Sequence, residues 1–233
     1  MTSEPLEIDY YTDVLCVWAY IAQIKVDQIV RDFGSGVRVR YRYLPLFGNN
    51  IVRIGEGWKE QGGFAGYGAH VCKVAQPCDY APVHAEVWAR NAPASSFAAH
   101  LHIKAIEGLE RSGWIDASAG EYEGRTTSQE FAWRVRQAFF RDLRDVGAQG
   151  VLEEIIRDQG LPLGRIRDEI TTGRAYAQLA SDIEDREQLR LEGSPTFVLN
   201  SGRQKLYGNV GYDVIATNIR ALLERHPELP VWR

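Results

Sequence analysis

The sequence of 233 residues has only three cysteines and no apolar run long enough to span a bilayer. Residues 1–5 lack a basic region followed by an apolar stretch, so no secretory signal is predicted. Few cysteines without an export signal argue against a disulfide framework and for a reducing compartment. We therefore expect a cytoplasmic protein whose thiols are catalytic, metal-binding or simply buried.

The sequence also lacks a large excess of either charge, because 27 basic and 31 acidic residues give a formal net charge of only −4. A chain with this balance has no general attraction to nucleic acid or to an anionic membrane surface, and neither is expected as a partner. Apolar residues make up 45% of the sequence, which is enough for a sizeable core. No internal repeat, low-complexity tract or extended linker divides the chain.

The first part of the sequence predicts a strand, a helix and a second strand. Residues 6–12 form the first strand, and the apolar positions of residues 17–33 follow helical spacing until Gly34 ends the helix. Over residues 37–43, apolar residues alternate with three arginines, which is the period of a strand. This unit predicts a parallel pair with a right-handed crossover.

The middle of the sequence has a different texture. Six glycines crowd residues 55–68, which we predict to be irregular. Helical patterns follow over about residues 97–105, 131–146 and 151–156, and a long polar helix is predicted over about residues 173–191. This part of the chain is therefore predicted to be a helical block.

Strand patterns return near the end of the sequence. Residues 196–200 and 203–207 are predicted to pair antiparallel across a tight turn at residues 201–202, and a final helix follows. The order βαβ, helical block, ββα predicts one α/β sheet interrupted by an α-helical insertion. We predict a sheet domain formed by residues 1–47 and 176–233, and an insertion at residues 48–175, a place where insertions are tolerated and often cover an active site.

Cys16 is the most informative residue, because it lies where the first strand gives way to the first helix. A helix N-terminus carries partial positive charge and unpaired N–H groups, which favour a thiolate over a thiol. The usual redox motif at such a junction has a second cysteine three residues on, and that position holds Ala19. The sequence therefore predicts a nucleophile without a resolving partner in its own motif.

Two local motifs and the order of elements resemble the DsbA family, whose members have a thioredoxin fold. The motifs are residues 13–20 and residues 192–208, with the best match in Ser-Pro-Thr-Phe-Val-Leu from Ser194 onwards. Residues 92–100 also resemble a helix of the inserted domain in cytosolic relatives. The resemblance implies a cis-proline at Pro195, in a loop that faces the active-site residue and can bind an extended thiol ligand as an added strand.

The family includes dithiol oxidoreductases and two glutathione-dependent branches, the kappa-class glutathione transferases and the 2-hydroxychromene-2-carboxylate isomerases. Ala19 departs from the dithiol pattern. The glutathione branches have serine where Cys16 stands, and they have an acidic-basic pair after the late glycine, where this chain reads Tyr-Gly-Asn-Val-Gly over residues 207–211. The chain therefore matches neither pattern completely.

Three functions follow from these observations. A Cys16 thiolate can attack a disulfide and be released by an external thiol such as glutathione, which is monothiol exchange. Alternatively, Cys16 can donate a hydrogen bond to the sulfur of bound glutathione, as in a transferase or isomerase. The third function is a non-catalytic binding module. Cys72 or Cys78 can resolve Cys16 only if one of them approaches it.

We predict Cys16 as the catalytic residue and Trp18, Ser194 and Pro195 as substrate-binding residues. No tightly bound cofactor is expected, although glutathione is a possible cosubstrate, and relatives in the glutathione branches suggest a homodimer. No metal site is expected, because the spacing of the other two cysteines is unlike that of a zinc pair. Six other polar residues are predicted to be structural, solvated or ion-paired: His84, His100, His102, Arg38, Arg40 and Arg42.

Overall fold

The computed structural model describes residues 4–118 and 124–224, and the four strands found there form one mixed sheet. β1 pairs with β2 in parallel, whereas β3 pairs antiparallel with both β1 and β4, in the spatial order β2-β1-β3-β4. The parallel pair is the strand–helix–strand unit that the sequence predicted. The strands are β1 (Leu6–Thr12), β2 (Val37–Tyr43), β3 (Thr196–Leu199) and β4 (Gln204–Tyr207).

Within the described ranges, eight α-helices accompany the sheet. The first connects β1 to β2, the last follows β4, and the other six lie in sequence between β2 and β3. They are α1 (Val17–Phe33), α2 (Gly63–Ala75), α3 (Phe97–Arg111), α4 (Thr127–Phe140), α5 (Gln149–Asp158), α6 (Leu163–Thr171), α7 (Arg174–Gln188) and α8 (Tyr212–Leu223). The α/β architecture with a helical insertion is the predicted one.

The boundaries of the predicted domains remain a prediction, and their ends at residues 1–3 and 225–233 lie outside the described residues. No helix in the described part of the chain is both long and apolar enough to cross a lipid bilayer.

Helix α1 has the predicted bounds, and Gly34 follows it with φ of 49°, a conformation that glycine adopts at little cost. This helix carries the Cys16 junction at its N-terminus.

The glycine-rich stretch is more regular than predicted. It contains a π-helical turn at Ile51–Glu56 and the start of α2 at Gly63. At Gly66 a Cβ atom would lie 1.7 Å from the carbonyl oxygen of Gln61, so only glycine permits this close approach of the backbone. The glycines therefore allow tight helical turns here and do not mark an irregular segment.

One further helix prediction was wrong in its extent, and one helix was not predicted. The helix predicted to reach residue 146 ends at Phe140, and Leu143 beyond it has φ of 56°. The polar helix predicted from residue 173 to 191 is α7, but α6 before it was not recognised. Ile166 is the buried residue of α6, so its apolar pattern is weak.

A buried ion pair ties the insertion to the sheet. Lys104 of α3 is 2% exposed, and its Nζ lies 2.6 Å from Oδ2 of Asp182 in α7. Asp182 also accepts hydrogen bonds from the Tyr43 N–H at 2.9 Å and from the Arg42 guanidinium at 3.0 Å. This carboxylate therefore links α3, α7 and β2. The other arginines of β2 pair with carboxylates of β1: Arg38 with Glu7, and Arg40 with Glu7 and Asp9.

Candidate active site

Cys16 is the N-cap residue of α1 and is almost fully buried, with 4% of its surface exposed. Its backbone has φ of −81° and ψ of 115°, the extended conformation typical of an N-cap. The Cys16 N–H donates to the Asp13 carbonyl at 3.2 Å, and the Cys16 carbonyl accepts from the Tyr20 N–H at 3.0 Å. The thiol therefore lies at a strand-to-helix junction.

The loop before β3 meets this thiol. Cys16 Sγ donates to the carbonyl oxygen of Ser194 at 3.2 Å, and the Ser194–Pro195 peptide bond is cis. The Ser194 hydroxyl accepts from the Asp13 N–H at 3.0 Å. Trp18 lies in the first turn of α1, with 41% of its surface exposed. The four residues predicted for the site thus lie in two segments that the fold brings together.

Asp13 is the residue of this site that the sequence analysis missed. It is fully buried, and its Oδ1 accepts from the Leu15 N–H at 2.9 Å. Its Oδ2 accepts from the Phe47 N–H and from the Ser96 hydroxyl, both at 2.9 Å. The only sequence signal was an acidic residue three positions before Cys16. Its partners Phe47 and Ser96 lie 34 and 83 positions away, so no local pattern reveals them.

His100 of α3 lies behind Asp13 and is fully buried. Its Nε2 is 3.3 Å from the backbone nitrogen of Val14 and 3.6 Å from Oδ1 of Asp13. Nε2 cannot bond to both groups at once. Without a hydrogen it accepts from the Val14 N–H, and with a hydrogen it donates to the Asp13 carboxylate. Burial alone would raise the pKa of Asp13, but His100 and the N–H groups of Phe47 and Leu15 hold it below its ordinary value.

Burial raises the pKa of Cys16 above its ordinary value, and the negative charge of Asp13 adds to the rise. The Ser194 hydroxyl and the N–H groups of Ala19 and Trp18 act in the opposite direction but do not offset burial. The prediction that the helix N-terminus favours a thiolate is therefore corrected, because desolvation outweighs the terminus. The resting site holds a thiol, which fits its role as hydrogen-bond donor to Ser194.

Two tyrosines also face the thiol, Tyr10 from β1 and Tyr67 from α2. Burial raises the pKa of both phenols well above neutral pH, so both are uncharged there. The Tyr10 hydroxyl donates to the Ala19 carbonyl at 3.5 Å. Among Asp13, Tyr10 and Tyr67, only the carboxylate brings a charge to the site.

The other two cysteines lie elsewhere, and all three are free thiols. Cys72 Sγ is 3.6 Å from the His84 carbonyl oxygen, and Cys78 acts electrostatically on Lys25 and Tyr80. Within the ranges that the structure describes, no hydrogen bond joins either thiol to Cys16, and resolution of Cys16 by Cys72 or Cys78 stays untested. Among the described residues, no group of three or more His, Cys, Asp or Glu side chains can hold a metal ion.

This architecture, an α/β sheet interrupted by a helical insertion with a cysteine at the first helix N-terminus, is similar to the thioredoxin-like fold of DsbA-like structures. A protein from Streptomyces coelicolor, provisionally named a DsbA oxidoreductase, superposes with a TM-score of 0.69 at 18% identity, covering 97% of this chain and 93% of that one. 2-Hydroxychromene-2-carboxylate isomerase superposes with a TM-score of 0.60 at 13% identity, covering 97% and 100%.

The cytosolic disulfide reductase DsbM from Pseudomonas aeruginosa is similar too, with a TM-score of 0.62 at 19% identity over 92% of this chain and 99% of DsbM. DsbM with GSH superposes with a TM-score of 0.60 at 20% identity, over 96% and 100%. Neither a protein-family model nor a curated protein sequence matches the chain. The predicted thioredoxin-like fold with its DsbA-like insertion is thus confirmed, and the similarity concerns the fold.

Proposed function

We propose that this protein catalyses glutathione-linked thiol–disulfide exchange through Cys16. The observation that carries the proposal is the 3.2 Å hydrogen bond between Cys16 Sγ and the Ser194 carbonyl oxygen. The thiol thereby faces the main chain of a loop that leads into β3, where an extended thiol or disulfide ligand can pair with the backbone. Similarity to the fold of DsbM, which has a structure with GSH, supports glutathione as the external thiol.

The exchange proceeds in two steps and needs one protein thiol. The Cys16 thiolate attacks the glutathione sulfur of a mixed disulfide, forms a disulfide with it and expels the substrate sulfur as a thiolate. A second glutathione thiolate then attacks the same glutathione sulfur, which yields glutathione disulfide and returns Cys16 as a thiolate. Because Ala19 offers no competing thiol, the external thiol completes the cycle.

The raised pKa of Cys16 requires that the substrate itself promotes the thiolate. At rest, the Cys16 S–H group donates a hydrogen bond to the Ser194 carbonyl oxygen. A ligand that pairs with this carbonyl displaces the thiol from it, and leaves the sulfur to the N–H groups of Trp18 and Ala19. Hydrogen bonds from these groups favour the anion. Substrate binding and thiol activation are therefore coupled in this mechanism.

The same raised pKa favours a second candidate, a glutathione-dependent transferase or isomerase. In that function Cys16 stays protonated and donates its S–H to the sulfur of bound glutathione, which carries out the chemistry. The similarity in fold to 2-hydroxychromene-2-carboxylate isomerase supports this candidate. The two candidates differ in whether the sulfur of Cys16 forms a covalent bond.

Two substitutions at one position separate the candidates. In a Cys72→Ser/Cys78→Ser background, we expect both Cys16→Ser and Cys16→Ala to abolish glutathione-dependent reduction of a peptide–glutathione mixed disulfide. The Cys16–glutathione adduct, followed by intact-mass spectrometry, should disappear in both. A serine hydroxyl can replace a thiol as a hydrogen-bond donor but not as the nucleophile of disulfide exchange.

A different result would favour the second candidate. If isomerase or transferase turnover with glutathione is found, survives Cys16→Ser and is lost in Cys16→Ala, then Cys16 acts as a donor. If the protein that retains Cys16 forms no glutathione adduct and shows no glutathione-dependent turnover, both proposed enzyme functions are refuted. The protein would then be a thioredoxin fold used for binding.

A further inference from the structure

Three hydrogen bonds join Cys16, Asp13 and Ser194 into a closed ring. The Cys16 N–H donates to the Asp13 carbonyl at 3.2 Å, and the Asp13 N–H donates to the Ser194 hydroxyl at 3.0 Å. Cys16 Sγ closes the ring by donating to the Ser194 carbonyl at 3.2 Å. All three residues are buried, so water does not compete for these bonds. Each residue of the ring is therefore held by the other two.

The Asp13 carboxylate anchors this ring to the helical insertion. It binds the N–H of Leu15 in the turn before α1, the N–H of Phe47 in the segment after β2, and the hydroxyl of Ser96 at the N-cap of α3. Charge-assisted bonds of this kind are stronger than bonds between neutral groups. A displacement of the carboxylate would therefore be transmitted to the turn that carries Cys16.

We propose that Asp13 is a positioning residue for Cys16, which directs the thiol at the Ser194 carbonyl through the ring. The inference rests on the proposed function, because both take Cys16 as the reacting residue. It does not depend on glutathione, because it concerns only how Asp13 orients the Cys16 thiol and affects its ionisation.

Four titratable groups act on the thiol or on Asp13 beside it, and they come from four parts of the fold. They are Asp13 before α1, Tyr10 in β1, Tyr67 in α2 and, behind Asp13, His100 in α3. Because both tyrosines are uncharged at neutral pH, the negative charge that opposes ionisation of Cys16 comes from Asp13. Two like charges in one buried site oppose each other, so the carboxylate disfavours the thiolate.

Ser194 acts on the thiol in the opposite sense. Its hydroxyl lowers the pKa of Cys16, whereas Asp13 raises it. Asp13→Asn and Ser194→Ala should therefore shift the ionisation of Cys16 in opposite directions. A site that is merely loosened would behave differently, because greater exposure to water brings a buried thiol towards its ordinary pKa in both variants.

The test is the pH dependence of Cys16 alkylation by iodoacetamide in a Cys72→Ser/Cys78→Ser background. We expect Asp13→Asn to lower the pH midpoint and Ser194→Ala to raise it. Asp182→Asn is the matched control, because Asp182 is also a buried carboxylate that accepts a backbone N–H. It should lower the Tm and leave the midpoint of Cys16 unchanged.

The proposal is overturned if Asp13→Asn leaves the midpoint unchanged, or if both site variants shift it in the same direction. If Asp13→Asn does not fold, Ser194→Ala decides, since it only removes one buried hydroxyl. An unchanged or lowered midpoint in that variant overturns the proposal. If the expected shifts occur but the protein has no glutathione-dependent turnover, only the proposed function fails.

Discussion

Cys16 Sγ lies 3.2 Å from the carbonyl oxygen of Ser194, a residue 178 positions further along the chain. The antiparallel pairing of β1 with β3 brings the two segments that carry these residues side by side. Because the S–H group donates this bond, the bond exists in the thiol form and is lost when Cys16 ionises. This one hydrogen bond between the two segments therefore depends on the proton of Cys16.

The free energy of unfolding should consequently fall at alkaline pH. Burial raises the pKa of Cys16 in the folded state above the unfolded value of about 8.5, so the folded protein keeps a proton that the unfolded chain releases. This contribution is fully present below that value and is lost as the pH rises through the folded pKa. Urea denaturation from about pH 7 to about pH 10 should show a steeper loss for the wild type than for Cys16→Ala. Parallel curves would contradict this.

Oxidation of Cys16 should produce a mixed disulfide with an external thiol and no internal bridge. All three cysteines are free, Cys16 Sγ is bonded to the Ser194 carbonyl oxygen at 3.2 Å, and Cys72 Sγ is directed at the His84 carbonyl oxygen at 3.6 Å. After treatment with glutathione disulfide, non-reducing peptide mapping should find glutathione on Cys16. The Cys78→Ser variant should give the same adduct, and a peptide joining Cys16 to Cys78 would refute the prediction.

Trp18→Ala should weaken substrate binding with little effect on folding. The side chain is 41% exposed and lies two residues beyond Cys16, so its truncation removes contact surface near the thiol and little of the core. We expect KM for a peptide–glutathione mixed disulfide to rise by about tenfold, equivalent to about 1.4 kcal/mol, with kcat and Tm nearly unchanged.

Trp114→Ala is the control for Trp18→Ala. Trp114 is 59% exposed and stacks against Arg165 in the insertion, away from the residues that contact Cys16. It should leave KM unchanged. A similar rise in KM for both variants would mean that Trp18 has no specific role at the site.

Local patterns predicted the sheet and the junction because each depends on short-range physics. The alternation over residues 37–43 matches β2, and helical spacing that ends at Gly34 matches α1. The position of Cys16 at the helix start follows from the helical spacing, because α1 begins at Val17. The glycines of residues 55–68 were misinterpreted because one of their uses is a close backbone approach, such as that of Gly66 in α2 to Gln61, which only coordinates reveal.

The electrostatics of the site were not predictable in the same way. A helix N-terminus is a local feature, and it argued for a thiolate at Cys16. Burial by the insertion is a long-range feature, and it reverses the direction of the pKa shift. The role of Asp13 was equally hidden, because its partners Phe47 and Ser96 come from the segment after β2 and from the start of α3.

Lys104→Met should destabilise the protein strongly, because it breaks a buried ion pair. The Lys104 ammonium lies 2.6 Å from Asp182 and 2.7 Å from Glu107, and Asp182 is buried as well. Of the three groups that bind the Asp182 carboxylate, Lys104→Met removes the ammonium and leaves the Arg42 guanidinium and the Tyr43 N–H. We expect the free energy of unfolding to fall by about 3 kcal/mol, measured by urea denaturation.

Arg90→Ala is the comparison for Lys104→Met, since Arg90 pairs with Glu86 on the surface of the insertion. An exposed pair of this kind contributes little, and we expect a change within about 0.5 kcal/mol. The pH midpoint of Cys16 alkylation should stay unchanged in both variants, because neither pair includes a group that faces the thiol. A loss in Lys104→Met no larger than that in Arg90→Ala would mean that the buried pair does not hold the insertion to β2. A shifted midpoint would instead connect this ion pair to the thiol site.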